Sequence, residues 1–236
     1  MSPRDPASSS HQYSGVDNLE VMSEAVNYNR FLTALVLRCA ERGGLAVDFG
    51  AGSGTFSRPL SSAGLSIAAI EPDPQLARRR DEDGIRTHAS ASEPADGAVG
   101  FVFSFNVLEH IADDAQAVAE LYRILKPGGR LLLYVPALDL LFSSMDRKVG
   151  HLRRCRRESL AALASDQGFR VIRNEYVDSL GFPAPLLYKL LDRGTGDLRP
   201  GSVSAYDRLV FPLSRLTDRA FGKLFGKNVL LVAVKD

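Results

Sequence analysis

Apolar positions follow two alternating rhythms along most of the chain. Short runs in which almost every residue is apolar occur at Leu45–Phe49, Leu65–Ile70, Phe101–Phe105 and, after a leading arginine, Arg130–Val135. Such runs read as strands buried on both faces. Between them, apolar residues recur at three- and four-residue spacing, which predicts helices over Asn18–Ala40, Thr55–Ala63, Pro74–Asp81, Ala115–Leu125 and Arg157–Gln167. In the first of these, Val21, Ala25, Phe31, Leu35 and Cys39 share a face. Gly43-Gly44, Gly64, Gly84, Pro127-Gly128-Gly129 and Gly168 supply the stops, and Asp113 and Asp114 place negative charge at a helix N-terminus. Weaker strand signals lie at Ile85–His88, Phe169–Tyr176 and Asn228–Val234. The alternation predicts an α/β fold, a doubly wound, Rossmann-like sheet of parallel strands with helices on both faces. No internal repeat interrupts it.

About fifty residues separate the last two strands, far more than a simple connection needs. Gly181–Pro185 opens this segment, the apolar Leu186–Leu191 follows, and a loop spans Arg193–Ser202. Over Ala205–Phe225, Leu209, Leu213, Leu216, Ala220 and Leu224 fall near one face and Arg208, Arg215, Arg219 and Lys223 near another, although Pro212 argues against one continuous helix. Residues 181–226 are therefore expected to form a helical insertion. It could cap an acceptor pocket, form a dimer surface, or rest peripherally on a membrane through 205–225; ordinary packing of the leucines on the sheet is compatible with a cap. Residues 1–17 read as a flexible arm and 18–236 as one domain.

The chain has 236 residues, enough for one sizeable core, and its net charge of +1 gives no electrostatic reason to expect nucleic acid. The two cysteines, Cys39 and Cys155, have no metal-ligand spacing and read as reduced thiols of a cytoplasmic protein. Cys155 lies among Arg153, Arg154, Arg156 and Arg157, which are expected to lower its pKa. The first fifteen residues lack the apolar stretch of a secretory signal, and the nearest thing to a membrane span, LLLYVPALDLLF, is broken by Pro136 and Asp139. No His/Cys/Asp/Glu set has metal spacing, so no metal is expected.

The densest chemical signal is VDFGAGSGTFSRPL, Val47–Leu60, which places Gly50, Gly52 and Gly54 within five positions at the end of the first strand. Ligands of open α/β sheets bind at such strand ends. Glu71 ends the second strand 21 residues after Gly50 and suits the hydroxyls of a ribose. A dinucleotide would want G-x-G-x-x-G, yet the third glycine position holds Thr55 in one frame and Ser57 in the other. Asp48 would repel a phosphate and suits an ammonium group or a helix-end hydrogen-bond network. Glu71 points to a ligand that carries a ribose, such as an adenosine, and Thr55 and Ser57 point away from a nicotinamide oxidoreductase.

Four motifs in order resemble the class I S-adenosylmethionine-dependent methyltransferases: VDFGAGSG, IEPD (Ile70–Asp73), FNVLEHIADD (Phe105–Asp114) and LKPGGRLLLYVP (Leu125–Pro136). The resemblance implies seven mostly parallel strands with the last antiparallel, and S-adenosylmethionine as cofactor. It implies that Asp48, Gly50, Ala51, Gly52 and Thr55 surround the methionine part and that Glu71 holds the ribose. Pro72, Asp73, Ala89 and Ser90 would border the adenine, Asn106 and Val107 would approach through the backbone, and Tyr28 would close over the cofactor; the alternative for Tyr28 is a core position beside Phe31. Gly100 stands where the family often has Asp. Asn27-Tyr28-Asn29-Arg30 and Gly150–Arg154 (GHLRR) are similar to segments of a bacterial small-molecule subset, which usually has an aromatic where this chain has Cys155.

Methyl transfer is an in-line displacement that asks the protein to align the acceptor, exclude water and, where needed, remove a proton. His110 is a candidate base, with a structural bond to a neighbouring loop as the alternative. His151 and Arg154, with Arg153, could bind an acidic acceptor, pair with Asp139 or Asp146 to pin the loop after the fifth strand, or form a solvated basic helix start. Tyr13 is a candidate lid. The implied function is methyl transfer to a small-molecule or lipid-linked acceptor by a monomer or homodimer. The alternatives are a non-methylating reaction of the same cofactor, such as a cyclisation, and a non-catalytic protein that keeps the fold.

Overall fold

The computed structural model describes residues 24–41, 43–191 and 200–236. Expectations for Val21, Tyr13, the 1–17 arm and most of the 193–202 loop lie outside those residues. The elements run α1 (Val26–Cys39), β1 (Ala46–Phe49), α2 (Ser57–Ser62), β2 (Ile67–Ile70), α3 (Pro74–Glu82), β3 (Thr87–His88), β4 (Val99–Phe105), α4 (Asp114–Ile124), β5 (Leu125–Pro136), α5 (Ser144–Lys148), α6 (Arg157–Asp166), β6 (Phe169–Val177), α7 (Pro183–Leu191), α8 (Pro200–Ala205), a π turn (Tyr206–Val210), α9 (Phe211–Phe221) and β7 (Asn228–Lys235).

The seven strands form one sheet in the order β3-β2-β1-β4-β5-β7-β6, with β7 antiparallel to both its neighbours and the other pairings parallel. Every residue of β1 and β4 is buried, as their unbroken apolar runs require. Alternation along β4 separates two cores. Phe101, Phe103 and Phe105 pack with Leu32, Leu35 and Tyr134 under α1, whereas Val102 joins Leu121, Leu131 and Leu160 under α4 and α6. In α1 the deeply buried residues are Leu32, Leu35 and Val36, while Phe31 and Cys39 are only half-buried, so the core face is rotated from the expected one.

Two further expectations are corrected. Pro127-Gly128-Gly129 does not stop the helix short of a strand at Arg130; β5 already begins at Leu125, which pairs with Val99 before a register shift. The glycines belong to an irregularity within the strand: a Cβ on Gly129 would lie 2.7 Å from the Lys126 carbonyl oxygen. The second correction concerns the insertion. Helical structure runs unbroken from Pro200 to Phe221, because the wide turn at 206–210 bonds the Phe211 N–H back to the Tyr206 carbonyl and accommodates Pro212 without a break. Its leucines do not pack on the sheet. Asp207, Phe211 and Ser214 are the buried residues, and Leu209, Leu213, Leu216 and Leu224 face outward.

Candidate active site

Strand order reverses between β1 and β4, and the loops that leave their carboxyl ends meet there. Gly50 follows β1 with φ +77°, and a Cβ on it would come within 2.3 Å of Val107 Cγ2. The body that requires a glycine at position 50 is thus the segment after β4. Gly52 differs: its φ is +52°, but an added Cβ would meet nothing within 4 Å. Its open side is space available to a ligand.

Two carboxylates organise this loop from adjacent strands. Asp48 Oδ2 accepts a hydrogen bond from the buried Ser57 hydroxyl, tying β1 to the start of α2. Glu71 accepts from the Gly52 N–H at 2.8 Å and the Asp73 N–H at 3.1 Å. Thr55 sits in the same loop with its hydroxyl 3.2 Å from that of Ser53, and Ala51 is buried. Pro72, Ala89 and Ser90 are exposed along the rim beyond β2 and β3. Glu93 fixes that rim, accepting from the Ala89 N–H and meeting the His88 ring.

After β4, Asn106 takes φ +54°, a left-handed conformation that asparagine tolerates better than most residues. Its N–H donates to the Tyr134 carbonyl and its side-chain amide to the Tyr28 hydroxyl at 3.3 Å. Tyr28 packs edge-on to Tyr134 and Phe211, with ring centroids 6.0 and 5.5 Å apart, and burial raises its phenol pKa. Phe31 lies against Phe211 as well, so Tyr28 is in part the core aromatic of the alternative reading.

What holds Tyr28 was not visible in the sequence. Ala25 gives α1 no side-chain cap. The buried Asp207, from the π turn, accepts from the Asn27 and Tyr28 N–H groups at 2.8 Å each, and its carbonyl accepts from the Asn27 amide. These two N–H groups are among the donors a helix start leaves without intrahelical partners. The insertion therefore caps α1 across 180 residues.

A second cluster lies just past Asn106. Arg154 is buried and donates from Nε and Nη2 to the two oxygens of Asp146 at 2.9 and 3.0 Å, and from Nη1 to the Ala137 carbonyl. His151 Nδ1 is 2.7 Å from Asp146 Oδ1. Burial would raise the Asp146 pKa, but the bonds from His151 and Arg154 outweigh it and hold the group down to about 2. Arg153 pairs instead with Asp114 at the start of α4 and with the Ala112 carbonyl. The GHLRR segment thus pins the loop after β5 through Asp146; Arg154 does not present its fork to an open anion site, and a solvated helix start does not describe it. Cys155 is corrected in the same way: burial, reinforced by Glu109 and Asp114, pushes its thiol up to about 12 despite Arg153.

His110 stands edge-on to His151, ring centroids 4.7 Å apart. Burial and the neighbouring His151 lower its pKa to about 4, against a hydrogen bond to Gly150. Glu109, fully buried, has neither carboxylate oxygen hydrogen-bonded among the described residues; Oε1 lies 3.6 Å from His151 Nε2, and burial pushes its pKa up to about 8. Donor atoms of Glu109, His110 and His151 lie within 4.8 Å of one another, a grouping that linear spacing did not disclose.

A methyltransferase domain model matches residues 24–174. The chain belongs to the class I S-adenosylmethionine-dependent methyltransferases. An uncharacterised methyltransferase of Mycolicibacterium gilvum is 34% identical over 94 residues, covering 37% of each chain. The curated relatives are longer proteins, and the chain matches well under half of their length. The same fold occurs in a putative methyltransferase solved with the Haloferax volcanii Trm112 activator (TM-score 0.64, 18% identity, 99% of both chains). It occurs again in phosphoethanolamine N-methyltransferase 2 of Haemonchus contortus bound to S-adenosyl-L-methionine (TM-score 0.62, 21% identity, 98% of this chain and 60% of that one). At these identities the structural likeness shows the fold. Membership of the family makes S-adenosylmethionine the cofactor, and the residues present fit it: the carboxylates of Asp48 and Glu71 stand at the ends of β1 and β2 beside a glycine whose Cβ side is open. No helix among the described residues is long and apolar enough to cross a membrane.

Proposed function

We propose that this protein transfers a methyl group from S-adenosylmethionine to a small-molecule or lipid-linked acceptor, with His110 removing the acceptor's proton. The observation that carries the reading is the pairing of an open Gly52 with Glu71 at the end of the neighbouring strand. Glu71 would hold the ribose hydroxyls while fixing the Gly52 and Asp73 N–H groups. Asp48, set by Ser57, would face the methionine ammonium, with Gly50, Ala51 and Thr55 shaping the surrounding backbone. Pro72, Ala89 and Ser90 would border the base, and Asn106, Val107 and Tyr28 would close the opposite side. When bound, the cofactor supplies an activated methyl on a sulfonium, so the chain's own residues need only bind, align and move a proton.

His110 fits the last task. The ring is neutral at pH 7, in the state that accepts a proton; a pKa lowered to about 4 makes it a weak base, which suits a proton that becomes acidic as the new bond to the methyl forms, and His151 behind it is fixed by Asp146. Arg154 and His151 act as positioning residues in this reading, since both bond to Asp146.

Calorimetric titration with S-adenosylmethionine, on the native chain and on Glu71→Gln, tests the cofactor half. Binding that weakens about tenfold or more in the variant is expected from the loss of charge-assisted bonds to the ribose. Absence of binding by the native chain would sink the enzyme reading and favour a non-catalytic relative. Conversion of an acceptor without formation of S-adenosylhomocysteine would favour the non-methylating alternative.

A further inference from the structure

The helix from Pro200 to Phe221 is turned with its polar anchors inward. Asp207 bonds to the start of α1, and Ser214 accepts from the Leu180 N–H. Asp218 accepts from the N–H groups of Asp178 and Ser179, and Phe211 wedges between Tyr28 and Phe31. At about 100° per residue, Phe211, Ser214 and Asp218 lie half a turn away from Leu213, Leu216 and Ala220. The leucines are left to the outside, Leu209 at 70%, Leu213 at 56%, Leu216 at 62% and Leu224 at 69% exposure, which is far from the burial an amphipathic helix normally gives them. Arg208, Arg219 and Lys223 are exposed along one flank of the stripe. The only two acids between residues 200 and 226 are Asp207 and Asp218, and both side chains are buried in their anchoring bonds.

We propose that this face rests on an anionic lipid surface. An apolar stripe flanked by cations and free of exposed acids is the composition that lies in a membrane interface: the leucines enter the acyl boundary and the cations meet the phosphates. A second copy of the chain is the poorer occupant, because the same segment of the partner would bring more cations and no exposed acid to meet them. A helix already tied to the protein by its polar side also presents its apolar side without having to unfold or detach. Together with the proposed methyl transfer, on which this step rests, the surface selects the lipid-linked member of the acceptor class, since an acceptor embedded in the same bilayer would be delivered beside α1 and Tyr28.

The test is flotation of the full chain with phosphatidylcholine vesicles, with and without phosphatidylglycerol, at low and high salt. Binding is expected only to the anionic vesicles and should weaken with salt. Leu213→Glu/Leu216→Glu and, separately, Arg219→Glu/Lys223→Glu should each lower partitioning about tenfold or more. Both pairs should leave the melting temperature and S-adenosylmethionine affinity, measured without lipid, as in the native chain. No binding to anionic vesicles, or binding that both variants retain, would overturn the proposal. So would a dimer in light scattering that the leucine variant dissociates, because the stripe would then join two copies. Cofactor binding in solution is read separately, so failure here is distinguishable from failure of the methyltransferase reading.

Discussion

At the scale of single residues, the cluster after β4 makes opposed predictions for two neighbouring acids. Asp146 is held down to about 2 in the fold, so the stability it contributes is present above its ordinary value near 3.8 and is lost as pH falls through about 2. Asp146→Asn leaves Arg154 buried without its partner and should cost about 3–5 kcal/mol, read as a fall in denaturation midpoint at pH 7. Glu109 has the reverse sign. Its pKa is raised to about 8 from 4.5, so between those values the unfolded chain binds fewer protons than the folded one and stability declines as pH rises. Glu109→Gln, which mimics the protonated acid, should flatten that decline in a melting series from pH 5 to 9. In the proposed reading His110 is the base. His110→Ala should lower kcat by about 10²–10⁴ with little change in cofactor affinity. The native activity should fall as pH drops towards about 4, where the ring becomes charged and can no longer accept a proton.

At the scale of elements, the sequence was informative where one periodicity ruled and silent where an element's orientation depended on a distant partner. The unbroken apolar runs of β1 and β4 could only be buried strands, and the structure buries every residue of both. Pro127-Gly128-Gly129 looked like a stop because such residues usually punctuate, and nothing local says that a strand can carry them as an irregularity. The spacing of Leu209, Leu213 and Leu216 gave the helix but not which side faces in; that is decided by Asp207 reaching α1 and Asp218 reaching the end of β6. For the same reason Asn27-Tyr28 stood out as a motif while the residue that captures it, 180 positions away, did not. The cap is testable as an element. Asp207→Ala removes a charged acceptor from two helix-start N–H groups and should cost about 2 kcal/mol. For a chain of this size that is a fall of about 4–8 °C in Tm. Because Tyr28 loses its tether, the KM for S-adenosylmethionine should rise as well, which a purely global destabilisation below the assay temperature would not produce.

At the scale of the whole molecule, the site exists because the sheet reverses direction between β1 and β4, so that two loops far apart in sequence share one crevice. Gly50 and Gly52 report on different sides of that arrangement, though the glycine motif makes them look equivalent. At Gly50 a Cβ would strike Val107 at 2.3 Å, so Gly50→Ala sets the β1 loop against the β4 loop in addition to the strain of φ +77°. At Gly52 the backbone strain remains but the space is open, and in the proposed reading a methyl there would occupy room that the cofactor needs. Gly50→Ala should therefore lower Tm markedly, and Val107→Ala in the same chain should restore part of the loss by removing the struck methyls. Gly52→Ala should cost only about 1 kcal/mol of stability, the usual penalty for a side chain at positive φ, while abolishing measurable S-adenosylmethionine binding. Val107→Ala should not rescue it. Calorimetry and thermal melts on these four variants separate packing across the crevice from occupancy of it. Equal binding losses in Gly50→Ala and Gly52→Ala, both recovered by Val107→Ala, would mean that the loop's shape alone governs the cofactor and that the open side of Gly52 does not face it.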